Sequence, residues 1–169
     1  MPRLAIPAVA NAINTVQAMD RQWKEQLADE IFRVQPNMLG SILVLPSLGV
    51  SMEKVEFALG VLLVCFQAMK DSGLAWPVIT EAEQARQLAR FVSITRLGED
   101  IGPALQRRAL RRYIAAHPEK ALAAYVASET AKWLGEITGD ESDKYVVLAV
   151  WNLVNCIAFV DLPRVRRGG

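Results

Sequence analysis

His117 is the single histidine of the chain, and Cys65 and Cys156 are its only cysteines. With one imidazole, a multi-histidine metal site is out of reach, and any Ser-His or Cys-His nucleophile would have to be built on this residue. His117 precedes Pro118 where a helix begins, and an unperturbed pKa of roughly 6.5 would suit a proton carrier. A structural role is the expectation, because no serine or cysteine is placed beside it by any motif. The two cysteines sit far apart inside apolar stretches, with no C-x-x-C pair. Burial raises a thiol's pKa and makes it inert, so neither a thiolate zinc site nor a disulfide framework is expected. A reducing, cytoplasmic location fits that usage.

Paired acids are the other route to catalysis. Glu25 and Asp29 are four residues apart and Glu53 and Glu56 three, so each pair shares a helix face. Such pairs can hold a divalent ion or divide acid and base roles. The chain lacks the Glu-x-x-His of di-iron bundles, however, and Asp140 and Asp143 stand where a helix starts, favourable for capping and for the helix dipole. Solvated helix faces account for these acids. No glycine-rich phosphate loop follows a strand: Gly98-x-x-x-Gly102 has no Gly-Lys-Ser/Thr after it. The expectation is a chain with no catalytic residues, no metal and no cofactor.

Charge is distributed unevenly. Residues 84–118 hold seven arginines against two acids, Glu99 and Asp100, whereas 119–143 hold two lysines against six acids. Thirteen of the nineteen basic residues are arginine, whose planar fork suits carboxylate and phosphate. On a helix, Arg107/Arg111 and Arg108/Arg112 are i,i+4 pairs, forming two adjacent basic strips. This helix is expected to salt-bridge with the acidic 119–143 stretch, within the chain or on a second copy. Contact with nucleic-acid phosphates is the alternative. Against it, the turn before the helix is longer than a helix-turn-helix allows, and two acids lie where phosphate would come.

A second candidate surface carries no charge at all. Residues 36–50 include Met38, Leu39, Ile42, Leu43, Leu45 and Leu48, and an exposed apolar patch of that kind marks a partner site.

These residues must be positioned by helices. The chain has 169 residues, is 52% hydrophobic and 22% charged, and has a formal net charge of +1, which suits one packed domain and excludes a disordered chain. Apolar residues recur at helical spacing from 8 to 34, with Asp20 either breaking the run or lying on its wet face. A short helix is expected over 37–45, then one capped by the Ser51 hydroxyl. Thr80 and Glu83 form a T-x-x-E capping box, Pro103 suits a first helical turn, and further helices follow after His117-Pro118 and near Asp140–Ser142. The stretches 52–70 and 143–160 are apolar nearly all round, which places them at the centre of a bundle or in an interface. Both are too short or too polar for a membrane span of about 20 apolar residues. No strand is predicted.

The sequence therefore predicts an all-α, single-domain bundle of six or seven helices over 1–163, with 52–70 and 143–160 central and 164–169 a mobile basic tail. Two apolar rods in so small a bundle leave surface uncovered, so a homodimer is expected, through one of them or through 36–50. The functional expectation is a non-catalytic interaction protein, an adaptor, regulator or inhibitor acting on a protein partner. A nucleic-acid-associated regulator is the alternative, and no membrane partner is expected.

Overall fold

A computed structural model describes residues 2–97 and 99–164 of the chain; most of the 164–169 tail expected to be mobile lies outside them. The described residues form eight α-helices and no strand: α1 (Ile6–Gln17), α2 (Arg21–Val34), α3 (Pro36–Leu43), α4 (Met52–Asp71), α5 (Glu81–Thr95), α6 (Pro103–Ala116), α7 (Lys120–Glu136) and α8 (Asp143–Phe159). A single 3-10 turn, Leu45–Leu48, joins α3 to α4. The all-α class is as expected, and the count exceeds the six or seven predicted. The extra element comes from Asp20, whose carboxylate accepts the Trp23 N–H at 2.9 Å and starts α2 as a new helix.

The termini follow local chemistry with two departures. Thr80 Oγ1 accepts the Glu83 N–H at 3.1 Å, as its pattern predicts. Glu83 does not complete the capping box; it turns instead to Gln87 at 2.9 Å and to Arg86. Ser51 occupies the N-cap of α4 without a side-chain hydrogen bond. Gly49 ends the 3-10 turn at φ 86°, in the left-handed region that a side chain rarely enters.

Helices α4 and α8 pack against each other at the centre. Around them, α1, α2 and α3 cover α4, while α5 and α7 cover α8. Val55, Ala58, Leu62 and Cys65 of α4 and Val146, Val150, Val154 and Ile157 of α8 are completely buried. On α4 the only large hydrophobic residue left exposed is Met52, whereas α8 keeps Tyr145, Val147 and Leu148 half-buried along surface hollows.

Polar side chains tie the layers together. Gln35 is buried between α2 and α3, where its amide donates to the Pro77 carbonyl at 2.7 Å and accepts the Ile79 N–H at 2.9 Å. Asn37 adds a bond to the Ile79 carbonyl at 2.9 Å. The extended link from α4 to α5 thus has its backbone groups satisfied by the α2–α3 junction. At the opposite end, the buried Lys54 ammonium donates to Asp140 at 2.8 Å, Asp143 at 2.5 Å and the Thr138 carbonyl at 3.2 Å. The hydrogen bond from Lys54, with those from Ser142, draws the Asp140 carboxyl down to about 2. No helix of the described residues is long and apolar enough to cross a membrane.

Leu62→Ala should cost about 2–5 kcal/mol, from lost burial and an unfilled cavity, in denaturant unfolding. Leu62→Asp should abolish accumulation of folded protein, because it leaves a charge unpaired in the core. Lys54→Met should lower Tm far more than Arg21→Ala, which removes an exposed i,i+4 pair. Since Asp140 is drawn below its ordinary value, its contribution is fully present above pH ~3.8 and fades as the pH falls toward about 2. Lys54→Met should reduce that fading, leaving the part that the Ser142 hydrogen bonds supply.

Candidate functional site

The arginine helix α6 is the least buried of the longer helices, with Tyr113 as its only buried residue. It packs between α5 and α7. Two hydrogen bonds tether it to the core: the Tyr113 hydroxyl donates to Asn155 Oδ1 of α8 at 2.5 Å, and His117, at the end of α6, lies 3.0 Å from the same oxygen through Nε2. The Glu119 N–H donates to His117 Nδ1 at 3.1 Å. Nδ1 is therefore an acceptor, the proton sits on Nε2, and Asn155 must present its oxygen to both partners.

This arrangement leaves the imidazole neutral, with both nitrogens occupied. Burial, with a smaller push from Arg90, holds the His117 pKa below its ordinary value. The histidine has no free nitrogen to take a proton from a substrate. Asn155 Nδ2 is buried without a partner, at a penalty of about 1–3 kcal/mol. His117 also leads into Glu119, whose carboxylate accepts the Arg3 and Leu4 N–H groups at 2.5 and 3.1 Å. Both cysteines are buried, and burial pushes each thiol up to about 12.

Among the described residues, none of Arg107, Arg108, Arg111 and Arg112 lies within 4.0 Å of a carboxylate. The expected intramolecular salt-bridging with 119–143 is therefore not made. Asp140 and Asp143 of that stretch are taken by Lys54, and Glu119 faces inward on backbone amides. The two strips of α6 instead border two different hollows. Arg107 and Arg111 rim a cleft of about 710 Å³ between α6, α7 and α8, walled by Leu110, Leu134, Val147 and Trp151. Lys144, Glu99 and Asp100 stand at the same rim, and Glu99 is already paired with Arg96 at 2.7 Å. Arg112 faces a smaller pocket, of about 310 Å³, shared with Arg90 of α5 and Phe159 of α8. Arg108 lines neither.

The uncharged segment 36–50 divides as well. Met38, Leu39, Ile42 and Leu45 are buried in the chain's own core, so they are unavailable to a partner. Leu43 and Leu48 remain about half exposed, at 54% and 46%. Leu45 and Leu48 border a groove of about 260 Å³ with Leu88, Leu148 and Asn152. The segment thus presents one apolar face to the core and leaves Leu43, Val44 and Leu48 on the surface.

Arg90, Lys144 and Asn155 are site residues that the sequence reading does not single out. Arg90 belongs to the same basic stretch as α6, and Asn155 is a polar residue in an otherwise apolar helix, which signals a buried hydrogen-bond partner. Among the described residues no group of three or more His, Cys, Asp or Glu is placed to hold a metal ion. Comparison with protein-family models, curated proteins and solved structures finds no match to this chain.

Tyr113→Phe should cost about 0.5–1.5 kcal/mol, the value of one hydrogen bond, because His117 still satisfies Asn155 Oδ1. Because His117 has a lowered pKa in the folded state, the unfolded chain takes up its proton first. Its contribution is complete above pH ~6.5 and declines as the pH falls toward the folded value. Subtracting the stability profile of His117→Gln from that of the wild type between pH 7.5 and about 5 should isolate this decline. A flat difference would show the imidazole equally basic in both states.

Proposed function

We propose that the chain is a non-catalytic helical interaction module that docks an amphipathic segment of a partner protein in the cleft bordered by α6, α7 and α8. One observation carries this reading: the arginines of α6 have no carboxylate partner among the described residues, and two of them rim an apolar cleft. Helix-in-groove recognition needs an apolar trough for side chains spaced i, i+3, i+4 and i+7. Leu134, 44% exposed, and Leu110 offer such a floor. The rim selects the partner's charge. Arg107, Arg111 and Lys144 outweigh the unpaired Asp100, so the complementary segment has acidic flanks.

A nucleic-acid reading is the alternative, favoured by four unpaired guanidinium groups on one helix. Glu99 and Asp100 on the same rim oppose phosphate, and the trough is more apolar than a phosphate backbone requires.

A labelled synthetic helix with leucines along one face and glutamates along its flanks should bind, whereas the same helix with lysine flanks should bind at least about tenfold more weakly. Arg107→Glu/Arg111→Glu should reverse that preference, and Leu134→Glu should abolish binding of both. Equal binding of the two helices, or none, would overturn the reading. Random-sequence duplex DNA bound with a steep salt dependence, lost in the charge-reversed variant, would establish the alternative. Light scattering on the free protein decides whether a second copy occupies the cleft: a dimer that dissociates in Leu134→Glu would make the partner the chain itself.

A further inference from the structure

The smaller pocket on the other side of α6 is built differently, and its chemistry is more specific. It has a volume of about 310 Å³, at the lower end of the range of small-ligand sites. Its walls come from three helices and the turn after α6: Arg90 and Ile94 of α5, Arg112 and Tyr113 of α6, His117, and Phe159 of α8. No acidic residue lines it. Among the described residues neither guanidinium has a carboxylate within 4.0 Å.

Arg90 is placed by what surrounds it, and Arg112 stands at the same pocket. The Arg90 guanidinium lies 4.0 Å from the centroid of the Phe159 ring, stacked on an aromatic face that orients its fork. The Tyr113 bond to Asn155 fixes the backbone of α6 from which Arg112, exposed and lining the pocket, projects. The polar atoms of the floor are already committed. The Tyr113 hydroxyl donates to Asn155, and both His117 nitrogens have partners. What the floor offers a guest is therefore ring surface, with Tyr113, His117 and Phe159 packed edge to face around it. The mouth offers two guanidinium forks of the same sign.

We propose that this pocket binds a small organic anion with a flat aromatic body, an aryl carboxylate, whose carboxylate is held between Arg90 and Arg112 and whose ring lies against His117 and Phe159. A carboxylate is the anion that matches a planar fork in a bidentate way. The aromatic walls select a flat body over a branched aliphatic one. This site is independent of the cleft on the opposite side of α6, which uses Arg107 and Arg111.

The single histidine makes the test direct, because the imidazole carbon-bound protons of His117 give one resolved set of NMR signals. Titration with 2-naphthoate should shift these signals saturably, with an affinity at least tenfold tighter than that of the neutral 2-naphthalenemethanol. Arg90→Ala and Arg112→Ala should each weaken naphthoate at least tenfold. Arg108→Ala, which removes an arginine of the same helix that does not line the pocket, should leave the affinity unchanged. Circular dichroism of each variant should match the wild type, since all three arginines are solvent-exposed. Absence of a saturable shift, equal affinity for acid and alcohol, or an Arg108→Ala loss as large as that of Arg112→Ala would overturn the proposal.

Discussion

One buried oxygen governs the placement of the functional surface. Asn155 Oδ1 lies in the middle of the core and receives both the Tyr113 hydroxyl and the His117 imidazole. Helix α6 buries so little apolar surface of its own that hydrophobic packing alone holds it weakly. Inside a low-dielectric core a satisfied hydrogen bond is strong and directional, and a broken one is costly. The bond therefore fixes the rotation of α6 about its axis as well as its distance from α8. That rotation decides which arginines meet which hollow. The neutral histidine tautomer is part of the same arrangement, since a protonated ring would lose the bond from the Glu119 amide.

The unpaired state of the arginines follows from how the acids are spent. Residues 119–143 carry enough negative charge to neutralise α6, yet the fold uses that charge for the chain's own ends and turns. Asp140 and Asp143 enclose Lys54, and Glu119 collects two backbone amides. Both uses are buried or partly buried, where an ionic contact is less screened than on the surface. The exposed arginines are left with water. Charge that balances to +1 over the whole chain is thus separated in space, and the field of α6 extends outward.

The architecture was legible because burial leaves a simple mark: two stretches apolar on nearly every face belong at the centre, and α4 and α8 pack there. Helix starts at Thr80 and Pro103 could be read because caps depend on neighbours in sequence, whereas Asp20 fits a cap and a wet helix face equally well and only the structure makes it a cap. The segment 36–50 could not be assigned to surface or interior in the same way. Absence of charge is common to a docking patch and to a core element, and only the position of α4 and α8 relative to Met38, Leu39, Ile42 and Leu45 separates the two. The arginine strips were visible, but their partners were not, because adjacency of charge along a chain says nothing about which acids a lysine such as Lys54 has already taken. Asn155 carried a readable signal as a polar residue inside an apolar helix. Its partners, 42 and 38 residues away, carried none.

The clasp around residues 3 and 4 bears on how the chain is made. Their amides are satisfied by Glu119, 116 and 115 residues downstream, and the Arg3 guanidinium donates to the Ile157 carbonyl, 154 residues away. On a ribosome, α1 can settle on α4 while the later helices are still unsynthesised, but residues 3 and 4 must wait for both partners to emerge. Closing so long a loop is slow relative to local helix formation. Residues 3 and 4 are thus fastened only after the later helices are in place, and the second of them, Leu4, is fully buried in the finished fold. Until that loop closes, the leucine is an exposed apolar group, a property of the partly folded chain that the finished fold no longer shows.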